Sequence, residues 1–302
     1  MNAPQHGLRG PLPSLLHSMS VGGVFARTEI FERVIHGLSA LISRNRDSQA
    51  EVLRFPPVMS RYEIERSGYL HSFPHLLGAV CCLHGTESHI RSAIDSSKQE
   101  GDWTAALDAT DLVLVPAACY PLYPLVAARG PCPSNESLFD VACDCFRHES
   151  SHEMGRLVSF RMREIVCMGT PDQVVEFRSQ WISRAKDIAN LLDLPHELKE
   201  ASDPFFGRAG KLMALSQIEQ SLKFEMLIPV RSEAEPTACM SFNYHREHFG
   251  DIWGLRSKSG DLMHTGCVAF GMDRLALALF VRHGSDIQCW PKPVYEAIMN
   301  TP

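Results

Sequence analysis

The chain has 302 residues, 45% of them apolar and 21% charged, with a net charge of −6 at pH 7. That balance belongs to a globular protein with a large core and excludes a disordered or fibrous chain. No run approaches the roughly 18 uninterrupted apolar residues of a membrane span, and His17, Ser18, Ser20 and two glycines break the N-terminal apolar pieces, so no signal peptide is expected and the protein is read as cytoplasmic.

The spacing of Ile30, Phe31, Val34, Ile35, Leu38, Leu41 and Ile42 predicts an amphipathic helix over 26–45. EVLRFPPVMS (51–60) reads as a strand closed by Pro56 and Pro57, which lack an N–H and fall at a strand end or edge. Residues 79–95 and 103–110 read as connecting helix and loop, and DLVLVPAACYPLYP (111–124) as a buried strand that breaks into a proline-bounded loop. FDVACDCFRHE and RLVSFRMREIVCMGT, joined by the polar SSHEMG, have the grammar of a β-hairpin over 139–170. Val174, Phe177, Trp181, Ala185, Ile188 and Leu192 recur at helical intervals over 172–192, strands are expected at 221–231 and 235–255, and CVAFGMDRLALALFVRH reads as a strand and then a helix from near Gly271. No repeat, low-complexity tract or interdomain linker is evident, and antiparallel connections with interspersed helices predict an α+β domain.

The ten cysteines form no CxxC pair, and without a secretory signal they read as reduced thiols, most of them small buried hydrophobes. An acidic chain without a Lys/Arg-rich run also lacks the electrostatic footprint of a nucleic-acid binder.

Three segments together resemble the signature motifs of the class II aminoacyl-tRNA synthetases. The helix, the strand ending at Pro57 and SRYEIERSGYLHSFP resemble the first motif region of seryl-tRNA synthetases; FRHESSHEMGRLVSFRMREIV resembles the second motif and GCVAFGMDRLALAL the third. They occur in the family's order over about residues 26–280. The resemblance implies an antiparallel sheet flanked by helices over 26–302, after an N-terminal segment 1–25, and ATP-dependent activation of an amino acid.

Arginine's planar fork suits both phosphate and carboxylate. By resemblance, Arg147 serves the α-phosphate and the amino-acid carboxylate, and Arg274 the γ-phosphate and purine face. Glu149, Arg156 and Leu157 match adenine-contacting positions. Glu235 with Ala238, Cys239, Met240 and Ser241 occupies the place where the family holds metal and nucleotide, and Mg2+ is expected with ATP. Ala238 to Ser241 read equally well as ordinary sheet residues.

Alone, Cys119 and Cys267 read as core cysteines. In the resemblance Cys119, Glu164 and Cys267 match the Cys, Glu and Cys zinc ligands of methanogen-type seryl-tRNA synthetases, an open three-ligand set whose fourth position can take the substrate amine. Cys132, in a GPCP loop, is the competing ligand.

About 25 residues precede the first helix and 28 follow Arg274, which leaves no room for a tRNA-binding part. That pattern is similar to the bacterial amino acid:carrier-protein ligases, implying a homodimer that passes glycine or alanine to the phosphopantetheine of a carrier protein. A compact seryl- or threonyl-type tRNA synthetase and a catalytically silent regulatory paralogue are the alternatives. The helical stretch 172–212 matches the carrier-docking insertion, with Arg178, Arg184, Lys186, Arg208 and Lys211 available to an acidic partner or simply solvated.

Overall fold

The computed structural model describes residues 15–149, 155–230 and 236–300. A short ribbon of β1 (Leu16–Ser18) and β2 (Phe25–Arg27) leads into α1 (Glu29–Asn45), whose Phe31, Val34, Ile35, Leu38, Leu41 and Ile42 are buried, as the apolar stripe requires. Then follow β3 (Glu51–Arg54), β4 (Val58–Ser60), α2 (Arg61–Arg66), α3 (Tyr69–Ser72), β5 (Ala79–Leu83), α4 (Glu87–Lys98), β6 (Leu107–Leu114) and α5 (Leu122–Ala128). The expected hairpin is β7 (Ser137–Phe146) and β8 (Ser159–Gly169), and α6 (Pro171–Leu191) starts at a capping box, with Thr170 Oγ1 accepting from the Gln173 N–H and the Gln173 side chain from the Thr170 N–H. The chain continues through β9 (Glu197–Glu200), α7 (Gly207–Glu219), β10 (Lys223–Pro229), β11 (Pro236–Arg246), α8 (His248–Trp253), β12 (His264–Gly271), α9 (Met272–His283) and α10 (Lys292–Met299).

Seven strands make the main sheet in the order β3-β7-β8-β12-β11-β10-β9, antiparallel throughout except for the parallel β3–β7 pair. The fold class is α+β, as expected. Because side chains alternate along a strand, each strand feeds two cores. Ile165 and Cys167 of β8 join α1, α6, α9 and α10 on one face. Val166 and Met168 join α5, α8 and the smaller sheet β4-β6-β5 on the other. Helices α1 and α10 approach so closely that a Cβ at Gly37 would lie 2.1 Å from the Ile298 carbonyl oxygen.

Three expectations are corrected. Residues 79–83 form a strand instead of a connecting helix or loop, and β6 begins at Leu107 instead of Asp111. Both strands are exposed along most of these residues and are held by backbone pairing, Cys82 opposite Asp108 and Leu83 opposite Leu107, so they carry no apolar period to read. The strand expected over 235–255 stops at Arg246, and α8 follows. Among the described residues no helix is long and apolar enough to cross a membrane.

One buried ion pair ties the helices to the hairpin. Asp140 of β7 is fully buried and accepts from Arg163 Nε of β8 at 2.8 Å, while the rest of that guanidinium reaches the hydroxyls of Ser39 and Ser43 on α1. Arg46 and Arg54 approach the same carboxylate at 3.1 and 3.2 Å. Removing one member of a buried pair leaves an uncompensated charge. Asp140→Ala should therefore lower the free energy of unfolding in a denaturant titration by about 3–5 kcal/mol, and Asp140→Ala with Arg163→Met should recover part of it.

Candidate active site

The cavity on the β4-β6-β5 side of the main sheet has a volume of about 670 Å³. Strand alternation decides what enters it: Met162 and Glu164 from β8, Cys267 and Ala269 from β12, and Ser241 and Asn243 from β11. Glu164 stands opposite Ala269 across the β8–β12 ladder, and Cys267 lies two residues further along. Cys119 arrives from the turn between β6 and α5, where its carbonyl accepts from the Leu122 N–H. Its own N–H donates to Glu164 Oε1 at 3.0 Å.

The Cys119 and Cys267 sulfurs and a Glu164 oxygen all lie within 4.8 Å of one another, and all three residues are buried. A cation with bonds of about 2.0–2.3 Å fits such a set, and two thiols with a carboxyl are the donors zinc takes. The hydrogen bond with Cys267, then burial and the Glu164 carboxylate, hold the Cys119 thiol well above its ordinary value. For Cys267 the hydrogen bond with Cys119 acts downward, but burial and Glu164 outweigh it and the thiol also rises. A metal entering here would have to displace protons, so its binding is pH-dependent. Cys132 stands apart, donating its N–H to the Arg256 carbonyl and lining a separate small cavity beside Arg129 and Glu136.

Elsewhere in the main cavity two arginines are held by backbone carbonyls. Arg147, just past β7, donates from Nε to the Pro116 oxygen at 3.0 Å and packs over the Phe160 ring. Arg274, in the first turn of α9, donates to the Gly155 oxygen at 2.7 Å and the Ala238 oxygen at 2.9 Å. Glu149, Leu157, Ala238, Cys239, Met240 and Ser241 share the same wall. Arg156 is not part of it, and its guanidinium lies 4.0 Å from the Glu149 carboxylate. Glu235 lies outside the described residues.

Sequence reasoning missed a charged cluster in this cavity. Lys223 is buried and bonds both Asp203 and Glu225, and Gln217 donates to the second Asp203 oxygen. The available signal was a pair of opposite charges at i and i+2 in KFEMLIP, which puts both on one face of β10.

The sheet and its flanking helices have the fold of the class II seryl-tRNA synthetases. The crystal structure of Methanopyrus kandleri seryl-tRNA synthetase bound to an Aquifex aeolicus tRNA superposes with a TM-score of 0.78 at 22% identity, covering 100% of this chain and 63% of that one. The type-2 serine–tRNA ligase of M. kandleri is 28% identical over 81% of this chain and 50% of its own length. No protein-family model matches the chain. Amino acid–acyl-carrier-protein ligases 1 and 2 of Bradyrhizobium diazoefficiens are 57% and 56% identical over 94% of this chain, covering 87% and 85% of theirs. The chain therefore belongs to the amino acid–acyl-carrier-protein ligase family.

The Asp203–Lys223 contact gives the cavity wall a pH signature. Burial alone raises Asp203, but the Lys223 ammonium and hydrogen bonds from Lys223 and Gln217 outweigh it and hold the carboxyl below its ordinary value. A depressed native pKa stabilises above the unfolded value of about 4 and ceases to do so as pH falls through the native one. The stability gap between the wild type and Asp203→Asn should be full at pH 6 and shrink steadily below about pH 4 in unfolding titrations.

Proposed function

We propose that this ligase condenses the carboxylate of a small amino acid, glycine or alanine, with ATP to give an aminoacyl-adenylate and pyrophosphate. The phosphopantetheine thiol of a carrier protein then displaces AMP to form the thioester. Kinship with the acyl-carrier-protein ligases carries this reading. In support, one cavity holds both a Cys–Glu–Cys set and two fixed arginines.

In this reading Arg147 neutralises the α-phosphate and orients the carboxylate for in-line attack, and Arg274 grips the polyphosphate and purine, with Mg2+ accompanying ATP. Glu149, Leu157 and the stretch Ala238–Ser241 line the nucleotide, with Arg156 and Glu235 beside it. Cys119, Glu164 and Cys267 would hold a zinc ion, which would supply Lewis acidity to orient the substrate amine.

The carrier docks on the stretch 172–212, chiefly through exposed Lys186 of α6 and the segment after it. Arg178 is engaged with the Ser221 carbonyl and the Phe224 ring, and Arg184 with the Asn45 carbonyl and the Trp181 ring. Helix α7 instead presents Arg208 and Lys211 together with exposed Leu212, Met213 and Leu215, and its Leu212, Met213, Ser216 and Gln217 also line the cavity. A second copy of the chain covers the free edge of β3, where Val52 is exposed.

ATP–pyrophosphate exchange should depend on glycine or alanine and fall about 10²–10³-fold in Arg147→Ala and Arg274→Ala. Metal analysis should find one zinc per chain, lost in Cys119→Ser, Glu164→Ala and Cys267→Ser. Exchange that needs no amino acid, or undiminished zinc in those variants, would overturn the corresponding assignment. Reversing charge with Arg208→Glu and Lys211→Glu should lower carrier aminoacylation and leave exchange intact; unchanged aminoacylation rules out docking on this helix.

A further inference from the structure

The Cys–Glu–Cys set is electrostatically unbalanced. Two thiolates and a carboxylate around a dication leave one excess negative charge in a buried place, where an uncompensated charge is expensive. Beyond Glu164, the side chains beside the two sulfurs can donate hydrogen bonds. Asn243 Nδ2 lies 3.3 Å from Cys267 Sγ, and His245 Nε2 lies 3.8 Å from the same sulfur. The Tyr123 hydroxyl, fully buried, lies beside the Cys119 thiol and 3.5 Å from His245 Nδ1.

Two separate features of the backbone aim these donors. Asn243 stands directly opposite Cys267 in the β11–β12 ladder, so both side chains leave the sheet on one face. The ladder then breaks at a bulge between Tyr244 and Arg246, where Arg246 takes a left-handed φ of 55°. An arginine adopts that conformation only against a steric cost, and bulges beside active sites re-aim side chains. Here the bulge sets His245 against Thr265, whose hydroxyl lies 3.1 Å from Nδ1. The Tyr123 hydroxyl faces the same Nδ1. A hydroxyl that donates to Nδ1 leaves the imidazole proton on Nε2, the nitrogen facing Cys267, and a thiolate there selects that tautomer.

We propose that Asn243 and His245, with Tyr123 on the other sulfur, are positioning residues that hold the thiolate ligands by hydrogen bonds. They would spread the excess charge over the outer donors and leave a bound metal more electrophilic. Removing such an outer partner costs about 10- to 100-fold in metal affinity. The inference rests on the zinc assignment above, and the two fail differently.

Zinc affinity is measured on the intact protein by competition with a chromogenic chelator, and the site is then loaded with Co2+ to read the sulfur-to-cobalt charge-transfer band. His245→Leu and Asn243→Ala should each bind zinc about 10- to 100-fold more weakly and move the band to lower energy. His245→Gln, which can place a donor near the Nε2 position, should restore most of both. Wild-type affinity and band energy in His245→Leu and Asn243→Ala would overturn the proposal while the zinc site stands. A wild-type chain that binds no zinc, or a Cys267→Ser variant that binds it undiminished, would overturn the zinc assignment and this proposal with it. Should His245→Leu not fold, the partly exposed Asn243 decides the matter by the same two measurements.

Discussion

Consecutive residues of one strand hold this structure together. On β8 the pleat sends Arg163 and Glu164 to opposite faces of the sheet. Arg163 goes down to Asp140 and the α1 serines, and fixes the helical layer against the hairpin. Glu164 goes up, receives the Cys119 N–H and faces Cys267. The first contact ties β7, β8 and α1 together, and the β8–β12 ladder places the second beside Cys267. Sheet order does the rest, because β8, β12 and β11 are neighbours and each contributes alternate residues to the same cavity.

Elements that bury one face were legible in the sequence. The stripes of α1 and α6 and the β7–β8 hairpin could be read directly, because burial imposes a period. Strands β5 and β6 could not, since their cross-strand ladder leaves most of the side chains in water. The candidate site was legible in another way. No spacing rule connects Cys119, Glu164 and Cys267, and only resemblance to a known family singled them out; the β8–β12 register is what brings the last two together. Lys223 and Asp203 were invisible for a further reason. A lysine at a strand start reads as solvated, and its burial here depends on the loop before α7 folding back over it. The basic residues of α6 were visible as charges, but Arg178 and Arg184 lie over aromatic rings of the protein itself, which charge patterning does not reveal.

The cavity separates two kinds of chemistry within one space. Arg147 and Arg274 are each restrained by main-chain oxygens, so their guanidinium planes are set before any substrate arrives. Such restraint is what lets a charged donor act without reorganising as charge develops on a reacting phosphate. Cys119, Glu164 and Cys267 gather two sulfurs and a carboxyl, buried on the pocket face of the sheet.

Helix α10 lies against α1 on the helical layer, across the sheet from the cavity. Its Lys292 extends into solvent with 85% of its side chain exposed. A surface attachment or a fluorophore coupled at that position leaves the cavity mouth and α7 unobstructed. Binding at that mouth can then be followed on tethered or labelled protein without the handle competing for the site.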